Sequence, residues 1–397
     1  MSDIKWQENK MPKTADKNLS IMSIEEVKKA KAFHESFPQY SNTPLAELKE
    51  MSKYLGLGAI KVKDESYRFG LNAFKVLCGS DSMAKYIAQK MGKDVSELPY
   101  DILVSKKLKD EFGQATFFSA TDGNHGRGVA WAANKLGQKC VIFMPKGTTE
   151  IRLNNILKEG ATATIEKYNY DECVRMAADA ASKVKNGVVI QDTAWEGYEE
   201  IPAWIMQGYG TMALESDEQF GEKPTHIFVQ AGVGSLAGAI VGYFSNKYKD
   251  NPPKMIVMEA SAAACLYKGA VAGDGNIRIV DGDLNTIMAG LACGEPNITS
   301  WDILKNHVDC FISAEDIIAA RGMRMLSAPL KGDAQVISGE SGAAPFGALA
   351  TIMLNDEYSE LRKKLDLNSN SKVLLFSTEG DTDPQRWKNI IWEAKNK

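Results

Sequence analysis

Short apolar runs alternate with helical segments through the middle of the chain. The runs "ATFFSA", "KCVIFMP" and "ATATIEKY" are each followed by a stretch of helical character, and "VVIQDTA" closes the series. Buried apolar runs separated by helices of this length are typical of parallel β-α-β units. The same alternation resumes at "THIFVQAG" and ends with the apolar run "SKVLLFS". The pattern therefore predicts an α/β protein built on doubly wound parallel sheets.

We expect two such sheet lobes with a cleft between them, since 397 residues are enough for two ordinary domains. The larger domain is expected to contain residues 1–80 and 198–397, and the smaller α/β domain, residues 81–197, to be inserted in it. Ligands of open α/β sheets bind beyond the carboxyl ends of the strands. The cleft is therefore the expected ligand site.

Two local features add to this outline. The polar N-terminal stretch, residues 1 to about 25, is expected to form an arm that is either free or packed on a partner subunit. Ser313 and Asp316 stand in the positions of a capping box, which predicts the start of a helix there.

Composition and charge argue against several classes of partner. A net charge of -4 gives no reason to expect binding to nucleic acid or to an anionic membrane. No apolar run approaches the roughly 18 residues of a membrane span, and the N-terminus lacks the apolar core of a signal peptide. The six cysteines are scattered, which favours reduced thiols, and none has the ligand spacing of a zinc site. We therefore expect a cytoplasmic protein without a structural metal.

The stretch "KDESYRFGLNAFK" leads from polar residues through an apolar pair to a lysine, Lys75. Partly apolar surroundings disfavour the ammonium form of a lysine, which suits its amine to Schiff-base chemistry. Most lysines, however, are exposed. For Lys75 alone, a solvated residue at the start of a helix is the simpler interpretation.

A second stretch, "FSATDGNHGRG", is typical of a tight loop that opens a helix. Such a loop offers backbone N–H groups and small polar side chains to an anion. Asp122 is out of place there, because a carboxylate beside an anion site costs repulsion and desolvation. Asp-Gly is also a common turn dipeptide, so a turn-forming role is the alternative for Asp122.

Two further stretches follow predicted strands. In "QAGVGSLAG" the glycines before a helix allow backbone N–H groups to close on a phosphate. Alone, this loop also fits a dinucleotide fingerprint with Glu259 as its acidic residue, which keeps an NAD-dependent oxidoreductase open. The last apolar run continues into "FSTEGDTD", with hydroxyls at Ser377 and Thr378.

Taken in order, these stretches resemble the fold-type II pyridoxal-phosphate enzymes, the group of serine and threonine dehydratases and tryptophan synthase β. A narrower resemblance is to the 2,3-diaminopropionate ammonia-lyases, and it runs from Thr43 to the last helix. It implies a homodimer and a pyridoxal 5'-phosphate cofactor bound in the cleft. The strings that carry it are "RFGLNAFK", "TDGNHGRGVAWAA", "QDTAWEGY", "IPAWIMQGY", "IMAGLACGEPN", "SGESGA" and "STEGDTD".

The resemblance also implies roles for individual residues. Lys75 would hold the cofactor through a Schiff base and then remove the substrate α-proton, and Ser377 or Thr378 would face the pyridine nitrogen. A hydroxyl there does not hold the ring nitrogen protonated, which suits β-elimination better than transamination. The other implied cofactor contacts are Asn124 at the pyridine 3'-oxygen and, around the phosphate, Gly232, Val233, Gly234, Ser235, Leu236, Ala237 and Gly238. The implied substrate contacts are Ser119, Thr121, Asp122, His125 and Asp192.

A diamino acid explains Asp122, because 2,3-diaminopropionate brings a second ammonium group that must also leave as ammonia. The family that the chain resembles handles both D and L substrates, which requires proton removal from opposite faces. Lys75 serves one face, and Asp122 is the candidate base for the other. Asp192, at the end of a predicted strand, is a second candidate substrate contact, with an N-cap as its alternative. The prediction is α,β-elimination of 2,3-diaminopropionate to pyruvate and ammonia.

Other functions stay open at this stage. Another β-eliminating enzyme of the same fold type would act on serine, threonine or D-cysteine, although a neutral hydroxyl or thiol does not call for two carboxylates. An NAD-dependent oxidoreductase leaves Lys75 and "DGNHG" unexplained. A protein of this fold that binds without catalysing is disfavoured by the intact Lys75, Asn124 and hydroxyls at 377 and 378.

Overall fold

The structure, a computed structural model, describes residues 2–121 and 123–396, with the backbone alone at Asp171. Its strands are β1 Ile4–Glu8, β2 Leu45–Glu47, β3 Ala59–Asp64, β4 Thr116–Ala120, β5 Lys139–Met144, β6 Thr162–Ile165, β7 Gly187–Val189, β8 His226–Gln230, β9 Lys254–Ala260, β10 Cys310–Ala314 and β11 Lys372–Ser377.

The helices connect these strands and lie between the predicted apolar runs. They are α1 Ile24–Glu35, α2 Lys49–Tyr54, α3 Val76–Lys90, α4 Tyr100–Leu103, α5 Lys106–Phe112, α6 Asn124–Lys135, α7 Glu150–Lys158, α8 Tyr170–Ser182, α9 Glu200–Phe220, α10 Ser235–Tyr248, α11 Cys265–Ala272, α12 Ile298–His307, α13 Asp316–Ser327, α14 Glu340–Leu354, α15 Ser359–Leu365 and α16 Pro384–Ile391. No helix in residues 2–121 and 123–396 is long and apolar enough to cross a membrane.

The chain divides into two compact units with one sheet each. The smaller unit extends beyond the expected 81–197, because it also takes in α1, α3 and the first half of α9. Close backbone approaches explain this grouping: a Cβ at Gly128 in α6 would lie 2.7 Å from the carbonyl carbon of Lys75, and one at Gly208 in α9 would lie 2.5 Å from the carbonyl oxygen of Leu77. The larger unit contains Met1–Ile24, Asn42–Tyr67 and Met212–Lys397, and the smaller unit Glu25–Ser41 and Arg68–Thr211.

The larger unit is built on a seven-stranded sheet in the order β1-β10-β9-β8-β11-β3-β2. The five inner strands run parallel, whereas β1 and β2 pair antiparallel at the two edges. The apolar sequences of β8, β9 and β11 are buried along nearly their whole length. This is the doubly wound α/β arrangement that the alternating pattern predicts, with antiparallel edges that it does not show.

The N-terminal stretch is not a free arm. Residues Ile4 to Glu8 form the edge strand β1, which pairs with Ala314 to Cys310 of the same chain. The Asn9 amide then donates to the carbonyls of Lys305 and Val308. The prediction of an arm is therefore wrong, because a short polar edge strand with one buried residue has little of the apolar signal that marks an inner strand.

The predicted capping box is also wrong. Ser313 lies inside β10, opposite Lys5, and α13 begins after Glu315 without a side-chain cap. The Asp316 carboxylate instead accepts hydrogen bonds from the Thr286 hydroxyl and the Ile287 N–H. Ser313 and Asp316 match the sequence signature of a capping box, but the tertiary structure gives both residues other contacts.

The smaller unit is built on a four-stranded parallel sheet in the order β6-β5-β4-β7. Helix α8 packs Ala177 and Ala181, one turn apart, against Phe118 of β4. Because β4 and β7 are parallel neighbours, the segments that follow Ala120 and Val189 leave the sheet at the same edge. These segments carry "TDGNH" and "QDTAWEG", which places two of the predicted site stretches side by side.

Candidate active site

The Lys75 ammonium in the smaller unit forms an ion pair with the Asp192 carboxylate. Lys75 is the N-cap residue of α3, where its backbone is closely packed against Gly128. Its side chain is 19% exposed and that of Asp192 is 10% exposed, so Lys75 is not a solvated lysine. The structure therefore brings together the predicted amine and one of the two predicted carboxylates.

Aromatic rings complete the surroundings of the Lys75 amine. Its Nζ lies 5.3 Å from the ring centroid of Phe74 and 5.5 Å from that of Tyr209, and both rings are buried. A cation near these ring faces gains modest electrostatic stabilisation, while the rings restrict access of water. Lys75 thus has the partly apolar surroundings that the sequence predicts.

Asp192 is ionised in these surroundings. Burial alone raises the pKa of its carboxyl group, but the adjacent Lys75 ammonium outweighs burial and lowers the pKa from 3.8 to about 2. The side chain contacts Lys75, as expected of a residue in the site. Asp192 is therefore a fixed negative charge beside the amine at neutral pH.

The hydroxyls of Ser119, at the end of β4, and of Thr121, just after it, form hydrogen bonds within the smaller unit. The Ser119 hydroxyl donates towards the Ile190 carbonyl (2.7 Å) and the Gln191 Oε1 (3.1 Å), and the Thr121 hydroxyl accepts from the Gly123 N–H (2.9 Å). A hydroxyl has one proton, so the hydroxyl of Ser119, a buried residue of β4, is occupied within the unit. Asn124 is the first residue of α6, where the helix N-terminus favours an anionic or electron-rich group.

His125 belongs to the same network. Its Nε2 donates to the Ile190 carbonyl at 3.0 Å, and its Nδ1 lies 3.6 Å from the Cys78 sulfur. Burial raises the pKa of Cys78 to about 12, so the thiol keeps its proton, which it donates to the Lys75 carbonyl at 2.9 Å. His125 thus ties the first turn of α6 to the segment that leads to Asp192. Asp122, the other predicted carboxylate, lies outside the described residues.

The glycine-rich loop of the larger unit connects β8 to α10. Gly234 has φ +103°, a left-handed conformation that glycine adopts without strain, and is the N-cap residue of α10. A Cβ at Gly232 would lie 3.0 Å from the Gly290 carbonyl oxygen, so the loop is packed closely from behind. Residues 232–238 therefore present the N-terminus of a 14-residue helix through a loop without charged side chains, which suits a phosphate.

Asn297, which sequence reasoning missed, supports this loop. Its N–H donates to the Val233 carbonyl at 2.7 Å, and its side-chain amide donates to the Ser235 hydroxyl oxygen at 2.8 Å. The Asn297 Oδ1 accepts from Thr299 and Ser300, which ties the loop to the start of α12. The available signal was the asparagine that ends "GEPN" before a helical stretch.

The two hydroxyls after β11 have different surroundings. Ser377 donates to the Ser338 hydroxyl oxygen at 2.8 Å, whereas Thr378 accepts from the Gln230 side-chain amide at 2.8 Å. The same Gln230 nitrogen donates to the Phe376 carbonyl at 3.1 Å. Because a carbonyl oxygen can only accept a hydrogen bond, this contact fixes which end of the Gln230 amide is the NH2 group. Gln230 is the second residue that the sequence analysis missed, although a polar residue at the end of "HIFVQ" was a visible signal.

Glu259 is not available to a dinucleotide. Its two carboxylate oxygens accept hydrogen bonds from the backbone N–H groups of Leu266 and Tyr267 at the start of α11. Burial raises the pKa of this carboxyl to about 8. Because the group is enclosed as a helix-end acceptor, the acidic residue required by the NAD interpretation is absent at this position. Among the described residues, no group of three or more His, Cys, Asp and Glu side chains is arranged to hold a metal ion.

Comparison with known proteins places these features in a family. The family described as "Pyridoxal-phosphate dependent enzyme" matches residues 37–379. The diaminopropionate ammonia-lyase of Salmonella typhimurium strain LT2 is 51% identical over 370 residues, which cover 92% of this chain and 91% of that protein.

Solved structures agree with this family. The crystal structure of Escherichia coli diaminopropionate ammonia lyase in complex with D-serine superposes with a TM-score of 0.89, at 42% identity over 99% of this chain and 98% of that chain. The same enzyme in complex with an aminoacrylate-PLP azomethine reaction intermediate gives a TM-score of 0.88 over the same shares of both chains. The predicted fold class is confirmed, and the chain belongs to the pyridoxal-phosphate dependent enzymes and, within them, to the diaminopropionate ammonia-lyase family.

Proposed function

We propose that this protein is a pyridoxal-phosphate dependent lyase that converts 2,3-diaminopropionate, in both D and L forms, to pyruvate and ammonia. One water is consumed, and one pyruvate and two ammonia molecules are formed. The observation that carries the proposal is the Lys75 amine, held in partly apolar surroundings against Asp192, in a chain that matches this family over nearly its whole length.

The residues present fit pyridoxal phosphate. Lys75 offers a primary amine for the covalent link, and residues 232–238 offer a glycine cradle in which a Cβ at Gly232 or Gly234 would meet neighbouring atoms at 3.0 Å or less. We assign the phosphate to this cradle, the 3'-oxygen to Asn124 and the ring nitrogen to Thr378. When bound, the cofactor supplies an electron sink for the bond broken at the substrate α-carbon.

Lys75 and Asp192 divide the acid–base work in this proposal. The Lys75 Nζ accepts the α-proton from one isomer, and the Asp192 carboxylate keeps a negative charge beside the protonated amine. A carboxylate in the same place also attracts the second ammonium group of a diamino acid, which serine and threonine lack. Asp122 is proposed as the base for the other isomer, on the sequence argument alone.

The surroundings of the ring nitrogen fit elimination. A threonine hydroxyl that donates a hydrogen bond to this nitrogen leaves it unprotonated, unlike a carboxylate in that position. A weaker electron sink is sufficient when a good leaving group departs from the β-carbon, as ammonia does here.

Pyruvate release separates this proposal from its neighbours. The purified protein should release pyruvate from D- and L-2,3-diaminopropionate much faster than from serine, threonine or D-cysteine. Lys75→Ala should abolish both this release and the visible absorbance of the bound cofactor, while Lys90→Ala, at the exposed end of the same helix, should leave both unchanged. Faster turnover of serine or threonine would assign the enzyme to the dehydratases instead.

We also propose that the enzyme is a cytoplasmic homodimer. The cysteines are all free thiols, as expected in a reducing compartment, and Val271, Ile277 and Ile279 expose apolar side chains along one segment of the larger unit. Light scattering should give twice the mass of one chain, and Ile279→Asp should shift the protein towards the monomer. A monomeric wild-type protein would exclude the dimer, and recovery of the native enzyme outside the cytoplasm would exclude that location.

A further inference from the structure

Gln191 is a buried residue with no role in the proposed chemistry, yet each of its polar groups has a partner. Its Oε1 accepts hydrogen bonds from the Ser119 hydroxyl and the Ala120 N–H, both at 3.1 Å. Its Nε2 donates to the Tyr170 hydroxyl at 2.5 Å, and its backbone N–H donates to the Tyr198 hydroxyl at 2.9 Å. Gln191 thus connects the end of β4 and the start of α8 through its side chain, and the turn at 195–198 through its backbone.

The position of Gln191 makes these contacts important for the site. Strand β7 ends at Val189, and the last backbone hydrogen bond to the sheet is that of the Ile190 N–H to the Phe118 carbonyl. Beyond that point the chain is held by hydrogen bonds of the Ser119 and His125 side chains to the Ile190 carbonyl and by the contacts of Gln191. The next residue is Asp192, whose carboxylate contacts Lys75.

We propose that Gln191 is a positioning residue that keeps the Asp192 carboxylate on the Lys75 amine and fixes the loop after β4 at the same time. Its Oε1 holds the end of β4, at Ser119 and Ala120, from which that loop departs, and its backbone leads directly into Asp192. Gln191 therefore fixes the position of the loop proposed to bind the substrate carboxylate relative to the Lys75 amine. In this proposal it contacts neither the substrate nor the cofactor. The inference rests on the proposed function for its kinetic consequences, but not for its structural ones.

Leucine at 191 has a similar size and removes the side-chain hydrogen bonds. The chain offers a matched control in Gln138, a second buried glutamine of the same unit, whose Oε1 accepts from the Ala115 N–H at 2.8 Å. Gln138 therefore holds the opposite, N-terminal end of β4. Gln191→Leu and Gln138→Leu remove comparable contacts from the same strand at its two ends.

The first measurement is hydrogen exchange on the protein without cofactor. In Gln191→Leu, peptides covering 119–126 and 190–198 should exchange about 10-fold faster or more, while the peptide covering 226–238 keeps its wild-type rate. Gln138→Leu should leave 190–198 unchanged. Because this measurement does not involve turnover, it judges the inference even if the substrate assignment fails.

The second measurement is the pH titration of the visible absorbance of the holoenzyme. The negative charge of Asp192 stabilises a protonated nitrogen at Lys75, so its displacement should move the titration midpoint to lower pH. Gln191→Leu and Asp192→Asn should shift the midpoint in this same direction, and Gln138→Leu should not. The other titratable residues around the pair, Cys78, His125, Tyr198 and Tyr209, are not substituted in any of the three variants.

The third measurement is the rate of pyruvate release. Gln191→Leu should lower kcat/KM by about 100-fold, the scale of a small misplacement of reacting groups. The combination with Ser119→Ala should be no worse than Gln191→Leu alone, because both act through one network. If Gln191→Leu does not fold, Tyr170→Phe removes one of the contacts and should give smaller shifts in the same directions. Wild-type exchange at 190–198 together with an unshifted midpoint would overturn the inference.

Discussion

The Gln230 side-chain amide donates a hydrogen bond to the Thr378 hydroxyl oxygen at 2.8 Å. In the part of the chain that the structure describes, Thr378 accepts this bond and donates none, whereas Ser377 gives its proton to Ser338. Of the two hydroxyls after β11, Thr378 is therefore the one that does not donate its proton within the described residues, which supports the proposed assignment of the ring nitrogen to it. This distinction is invisible in "FSTEGD", where the two residues are adjacent and chemically alike.

Substitution of the two hydroxyls should separate their roles. Thr378→Val keeps the shape and removes the donor, so we expect kcat for diaminopropionate to fall about 10-fold or more, the cost of one charge-stabilising hydrogen bond. Thr378→Ser should recover most of the activity. Ser377→Ala is the control. It should lower the melting temperature but leave kcat close to the wild-type value. A larger loss of kcat in Ser377→Ala would reverse the assignment.

The pair formed by Lys75 and Asp192 should contribute to stability without the cofactor. In Asp192→Asn the amine loses its counter-charge, and in Lys75→Ala the carboxylate does. The free energy of unfolding of each single variant should therefore fall by about 1–3 kcal/mol at pH 7. The double variant should be more stable than the sum of the two losses predicts, because no unpaired charge is left. Urea unfolding of the four apoproteins measures this coupling, and strictly additive losses would show that the pair contributes nothing.

Glu259 should make stability depend on pH in the neutral range. Its pKa is raised from 4.5 to about 8, chiefly by burial, so its stabilising contribution is complete below pH 4.5 and is lost as pH rises through 8. A single group of this kind lowers the free energy of unfolding by at most about 1.4 kcal/mol per pH unit.

Glu259→Gln removes this titration. Glutamine has one acceptor oxygen for the two N–H groups of Leu266 and Tyr267, so the variant should be less stable than wild type at pH 5. The difference should shrink steadily towards pH 9, because wild type loses stability over that range and the variant does not. Thermal melts at five pH values measure it, and a constant difference would contradict the raised pKa.

Asn297 should matter for the phosphate cradle. Asn297→Ala removes the amide that holds the Ser235 hydroxyl, so the dissociation constant for pyridoxal phosphate should rise about 10-fold, the cost of one well-placed hydrogen bond. Asn306→Ala is the matched control, because Asn306 is a buried asparagine of the same helix that contacts Thr14 in the N-terminal segment. Equal loss of cofactor affinity in the two variants would indicate a general effect on α12.

The sequence predicts the site better where chemistry is local than where it depends on packing. The apolar runs of β4, β5, β8, β9 and β11 and the glycines before α10 follow from local pattern, and they are present as expected. Lys75 and Asp192 are 117 positions apart in the sequence. The family resemblance indicates both residues as members of the site, but no sequence spacing predicts that they contact each other.

The supporting residues were harder to predict for the same reason. Gln191, Gln230 and Asn297 act by hydrogen bonds to backbone groups and hydroxyls that are distant in sequence, and their own residue types have no characteristic spacing. The edge strand β1 was missed because one buried residue in five leaves almost no alternation. Such features become visible when the partner of each buried polar group is identified.

Asp122 carries the stereochemical prediction, which comes from the sequence because this residue lies outside the described residues. If Lys75 removes the proton of one isomer and Asp122 that of the other, Asp122→Asn should lower turnover of D-2,3-diaminopropionate about 100-fold, the usual scale for a general base, with a much smaller effect on the L isomer. Asp192→Asn is the control for loss of a carboxylate, and it should lower turnover of both isomers because Asp192 contacts the shared amine. Pyruvate release from the two isomers, measured side by side, tests this role. Equal losses for both isomers in Asp122→Asn would show that Asp122 is not a face-specific base and would leave Lys75 as the single base for both.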